Sequence, residues 1–116
     1  MPDGDWMFSL RDAEARLPDD PNVSRVFYGL RHGTMRIGLY APRGRDIQKP
    51  HTQDELYIVA SGTGDFVKGG ERRRFAPQDA IFVEAGIEHR FENFSEDFAA
   101  WVIFWGAAGG EAGPPA

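Results

Sequence analysis

Three side chains in this sequence are of the right type and spacing to hold a metal ion. His51 precedes Glu55 by four residues in Lys49-Pro50-His51-Thr52-Gln53-Asp54-Glu55-Leu56-Tyr57-Ile58-Val59, and His89 stands in Glu88-His89-Arg90-Phe91-Glu92-Asn93. Along an extended strand, successive side chains point to opposite faces. Glu55, Tyr57 and Val59 therefore share one face. His89, Phe91 and Asn93 share another, with Arg90 and Glu92 turned to solvent. If both faces line one interior, two imidazoles and a carboxylate converge. That 2-His-1-carboxylate set favours Fe(II) and leaves coordination positions open for substrate or oxygen. His32 precedes a glycine and reads as a loop residue.

Other chemistries find no support. The sequence has no cysteine, so disulfides, iron–sulfur clusters, thiolate zinc sites and cysteine nucleophiles are excluded. Gly62-Thr63-Gly64 lacks the downstream Gly-Lys-Ser/Thr of a phosphate loop, and Ser61 lacks the G-x-S-x-G elbow of a serine hydrolase. Thirteen Lys and Arg against 18 Asp and Glu give a net charge of −5, which argues against a nucleic-acid partner. No apolar run approaches the ~20 residues that span a bilayer. The acidic start Met1-Pro2-Asp3-Gly4-Asp5 is unlike a signal peptide. The expectation is a cytoplasmic protein with no membrane partner.

The elements that must position these residues are short. The 116 residues suffice for one domain, and 14 glycines and eight prolines are spread along them, as suits many turns. Strands are predicted over Val23–Arg31, Thr34–Ala41, Glu55–Ala60, Asp65–Lys68, Arg72–Ala76, Ala80–Glu84, Glu88–Phe94 and Phe98–Trp105. Eight closely spaced strands mean an all-β sandwich or barrel over residues 23–106. Residues 1–22 form an N-terminal segment with room for a short helix from Ser9 to Leu17, capped by Ser9, with Asp12 three residues on and Pro18 closing it. Few apolar residues are available to dock that helix. The Gly/Pro/Ala-rich residues 107–116 read as a disordered tail. Tyr40, Tyr57, Phe91 and Trp101 read as core aromatics. Arg72-Arg73-Arg74 reads as a charged strand that discourages edge-to-edge pairing. Leu56–Val59 and Trp101–Trp105 are apolar on both faces, so both faces need cover. A second subunit would supply it, and a homodimer is expected.

The two histidine-bearing stretches resemble the paired motifs of the cupin superfamily. In the first motif, G-x5-H-x-H-x3,4-E-x6-G, His51 matches the second histidine, Glu55 the glutamate and Gly62 the closing glycine. Lys49 holds the place of the first histidine, and Gly44 lies only near the leading glycine. In the second motif, G-x5-P-x-G-x2-H-x3-N, Gly86, His89 and Asn93 match; Gln78 stands where a glycine is usual and Glu84 replaces the proline. The resemblance runs from about Val26 to Trp105 and implies a jelly-roll barrel that binds a divalent metal: Fe(II) by the ligand set, with Zn, Mn or Ni as alternatives. His51, Glu55 and His89 would be the ligands. Lys49 would either point outward or pair with an anionic substrate, and Gln53 could swing in as a fourth ligand. Lys49, Gln53 and Tyr57 are the candidates for residues lining the site behind the ligands. The resemblance implies a metal-dependent enzyme of dioxygenase, isomerase, decarboxylase or lyase type, acting on a small polar or anionic molecule. A non-catalytic sensor barrel and a structural dimer with a vestigial site are the alternatives.

Overall fold

A computed structural model of the chain describes residues 6–111. A short helix, α1 (Leu10–Ala15), precedes eight strands: β1 (Val26–His32), β2 (Met35–Tyr40), β3 (Asp54–Ser61), β4 (Gly64–Lys68), β5 (Glu71–Phe75), β6 (Ala80–Val83), β7 (His89–Glu92) and β8 (Ala99–Trp105). They form two antiparallel sheets, one of order β1-β2-β8-β3-β6 and one of order β5-β4-β7. The jelly-roll expectation holds. Arg72 to Arg74 lie exposed on β5, an edge of the smaller sheet, where charge opposes pairing with another chain.

Alternation sets what faces inward. In the larger sheet one row runs Arg36–Phe104–Glu55–Val83 across β2, β8, β3 and β6; the adjacent row, on the opposite face, runs Ile37–Ile103–Leu56–Phe82. Phe104, Glu55 and Val83 are buried in the first row, whereas Phe82 in the second is 44% exposed. The first row thus lines the interior. Tyr40, Tyr57, Phe66, Phe91 and Phe98 fill that interior with interlocking rings, as offset and edge-to-face pairs prefer.

Part of the outer face is covered from within the chain. The Ser9 hydroxyl accepts from the Asp12 N–H and caps α1, as expected. Ala13 and Leu17 pack with Leu39, Ala41 and Ala99, while Phe8 meets Phe27 and Trp101 edge-on. A single turn and a half of helix docks because Phe8, just before it, supplies the apolar area that the helix lacks. Trp101 belongs to this outer cluster rather than to the interior.

Two further expectations change. Residues 107–111 of the expected disordered tail are tied down: Gly109 donates to the Thr52 carbonyl and Glu111 to Asp54 Oδ2. Residues 112–116 lie outside the described residues. Asn93 does not face inward beside Phe91, because β7 ends at Glu92 and Asn93 turns into the left-handed region (φ 52). Its amide donates to Asp65 at the surface. Asparagine tolerates this conformation better than most residues.

Gln78, where the motif usually has glycine, also has positive φ (76), and its N–H donates to the Val59 carbonyl. A Cβ costs roughly 1–2 kcal/mol in this region, and glycine gives back part of that as unfolded-state entropy. Gln78→Gly should therefore stabilise the fold by about 0.5–1 kcal/mol in urea denaturation. No gain, or a loss, would contradict the strain assigned to this turn.

Candidate metal centre

Glu55 reaches the interior from β3 and His89 from the start of β7; both side chains are only 1% exposed. His51 approaches from the loop before β3 and is 30% exposed. His89 Nε2 stands 2.9 Å from Glu55 Oε1, and His51 Nε2 stands 3.9 Å from Oε2. The ligating atoms of the three residues lie within 4.8 Å of one another. Among the described residues, neither Glu55 oxygen accepts a hydrogen bond of ordinary alignment, despite complete burial. Burying a carboxylate without such partners costs several kcal/mol. A cation at the meeting point of these donors removes that cost.

The imidazoles are held by their other contacts. His89 Nδ1 donates to the Ile87 carbonyl at 2.8 Å, which aims the Nε2 lone pair at Glu55. The loop carrying His51 is pinned by the Gly86 N–H, which donates to the His51 carbonyl at 2.7 Å. The Ala85 N–H donates to Asp54 Oδ1, so Asp54 fixes both that turn and the segment at Glu111. These two backbone donors hold the Asp54 carboxyl below its usual range. His51 packs edge-on against Phe104 and close to His89.

Two residues that the motifs did not single out complete the surroundings. Gln48 Oε1 accepts from Tyr57 Oη at 2.9 Å and stands 3.0 Å from His51 Nε2. Asp46 orients Gln48: its Oδ1 accepts from the Gln48 N–H and the Tyr40 hydroxyl, and its Oδ2 accepts from the Gln48 amide and from the Phe91 N–H on β7. Gln48, not its neighbour Lys49, turns into the site. Lys49 is exposed. The Gln53 amide donates to the carbonyls of Thr34 and Gly106 and accepts from Arg36, so it is held away from the three ligands. Tyr57 lies where expected, with its hydroxyl 3.3 Å from His89 Nε2. Burial, then the Glu55 charge, raises its pKa well above the ordinary value, so it stays a hydroxyl.

The residues present fit a divalent ion. Two imidazole nitrogens and a carboxylate converge, the carboxylate is otherwise unsatisfied, and the Gln48 carbonyl oxygen is adjacent. A cavity of about 570 Å³ opens between β5 and β6, lined by Phe66, Lys68, Ile81 and Ile87 among others. It contains none of the three ligands; the Phe66 ring, 6.0 Å from His89, forms its boundary with them.

Proton and metal compete here. Burial lowers the His51 pKa, with His89 and Arg36 acting the same way against Glu55. For His89, burial opposes the charged form, but Glu55 and the Ile87 carbonyl outweigh it and the pKa is raised. The His89–Glu55 contribution to metal-free stability is thus complete below pH ~6.5 and is lost as pH rises through the elevated folded value. The His51 shift acts below ~6.5 and does not overlap that window. With chelator present, the melting temperature should fall as pH rises above ~6.5; with a divalent ion it should rise over the same range, because the ligands must shed protons. Parallel pH profiles with and without metal, followed by circular dichroism, would contradict this arrangement.

The sequence pattern of the cupin domain matches residues 37–105. An uncharacterized protein of Streptomyces coelicolor is 42% identical over 99 residues, covering 84% of this chain and 92% of that one. Among solved structures, a Cupin 2 conserved barrel domain protein from Salinispora arenicola superposes with a TM-score of 0.68 at 22% identity, covering 89% of this chain and 92% of that one. KdgF from Halomonas sp. superposes with a TM-score of 0.65 at 16% identity, over 76% and 82% of the two chains.

Proposed function

From the premise that the chain belongs to the cupin domain family, we propose that it is a divalent-metal-dependent enzyme acting on a small polar or anionic molecule, with His51, Glu55 and His89 as the metal ligands. The observation that carries this reading is the buried Glu55 carboxylate, which accepts no hydrogen bond of ordinary alignment and faces the two imidazoles. The 2-His-1-carboxylate set favours Fe(II); zinc, manganese and nickel suit it less specifically. Bound there, the ion would polarise a substrate oxygen or, as Fe(II), activate dioxygen.

The chain's own residues divide the remaining work. Gln48 and Tyr57 hold the inner side of the site with a carbonyl oxygen and a hydroxyl. Tyr57, kept protonated, donates a hydrogen bond and does not act as a base. The half-exposed His51 marks the side from which a ligand approaches. The interior rings of Phe66 and Phe104 exclude water from the buried side.

Elemental analysis of protein purified without a histidine tag or chelator tests the reading. Near-stoichiometric metal is expected, and its loss in His89→Ala. Absence of metal, with none taken up from added divalent ions, would leave a metal-free small-molecule barrel.

We also read the outer row Ile37–Ile103–Leu56–Phe82, which α1 does not reach, as the contact between two copies of the chain. Light scattering at micromolar concentration should give twice the 13.0 kDa chain mass, and Phe82→Lys should shift it toward monomer. A wild-type monomer would contradict the dimer.

A further inference from the structure

Two cations of the interior row, the exposed Arg31 and the partly buried Arg36, have no carboxylate partner among the described residues. Lys68 and Arg72, Arg73, Arg74 and Arg90 all sit in ion pairs on the smaller sheet. Arg36 does not. It lies in the interior row with Phe104 and Glu55, on the strand beyond Phe104. Its guanidinium lies over the Phe104 ring at 4.4 Å and the Tyr28 ring at 5.0 Å. Its Nε is buried and has no hydrogen-bond partner among the described residues. Among the described residues its one hydrogen bond runs from Nη1 to Gln53 Oε1, at 3.3 Å. Gln53 is itself fixed by the Thr34 and Gly106 carbonyls. A buried N–H without a partner is costly.

Position ties this cation to the metal centre. Phe104 is the shared neighbour: His51 packs against its ring at 4.9 Å, and Arg36 lies over it. His51 is also the exposed member of the ligand set. Arg36 and His51 therefore flank the same ring. With its face taken by aromatic rings, the in-plane N–H edge is what remains for a ligand, and that fork matches a planar carboxylate in two parallel hydrogen bonds. Neighbouring strands lie ~4.8 Å apart, so the Arg36 and Glu55 backbones are about 10 Å apart, with Phe104 on the strand between them.

We propose that Arg36 recognises the carboxylate of a small hydroxy acid whose oxygen substituent faces His51, Glu55 and His89, with Gln53 as the positioning residue for the guanidinium. This rests on the metal-centre reading above. It adds the substrate class and the residue that selects it.

The test is calorimetric binding of lactate and gluconate to the zinc-loaded protein, with methyl lactate, glucose and inorganic phosphate as comparisons. At least one acid should bind, and its uncharged counterpart should bind at least tenfold more weakly. Arg36→Met should weaken acid binding tenfold or more while zinc content stays at the wild-type level. Arg36→Lys, which keeps the charge but not the fork, should fall between, and it carries the test if Arg36→Met does not fold. Neither acid binding to a protein that holds zinc, wild-type affinity in both variants, or phosphate binding more tightly than the acids would each overturn the proposal. If neither zinc nor any other added divalent ion is retained, the metal reading fails by itself; the same titration of the metal-free protein then decides this one, since acid binding lost in the Arg36 variants supports it and no such binding overturns it.

Discussion

A carboxylate sealed inside an apolar barrel is the constraint around which this protein is built. Glu55 is on the central strand β3, paired on one side with Phe104 and on the other with Val83. It cannot turn outward without sending Tyr57 and Val59 with it. An aliphatic side chain there would cost nothing in desolvation, so the carboxylate makes physical sense only with a positive partner. In the metal-free protein the proton on His89 serves in part. A divalent ion would satisfy the carboxylate and both imidazoles at once.

The frame follows from that requirement. The loop before β3 has no strand partner on the free edge of β7, and a side chain replaces the missing ladder: Asp46 accepts from the Phe91 N–H and from Gln48. Asp54, one residue before Glu55, secures the turn at Ala85 whose neighbour Gly86 holds His51. The two imidazoles are thus held by polar contacts outside the cluster, and Glu55 by its place on β3. Preorganisation of this kind removes the need to order the loop when an ion arrives.

Strand alternation made much of this legible in the sequence. It placed Glu55 and Tyr57 on one face and His89 and Phe91 on another, and eight strands with a capped helix follow the pattern of apolar runs and turns. The irregular segments did not yield to it. Between Pro42 and Gln53 no periodicity says where a side chain points, so the motif drew attention to Lys49 while Gln48 turns inward. Asp46 and Arg36 are ordinary charged residues by composition; only the tertiary register puts Arg36 in a row with Glu55. Asn93 was assigned inward by extending alternation one residue past the end of β7, where a positive φ reverses the chain. The doubly apolar β8 asked for cover, and Phe8 with α1 supplies part of it, a long-range contact that few apolar residues announced.

The most direct measurement is anomalous diffraction from crystals grown with a divalent transition metal at a pH above the elevated His89 pKa. A single strong peak should lie within about 2.0–2.2 Å of His51 Nε2, His89 Nε2 and a Glu55 oxygen. A map with no peak there, and Glu55 instead paired with a protonated His89 or an ordered water, would contradict the view that this buried carboxylate exists to hold a metal.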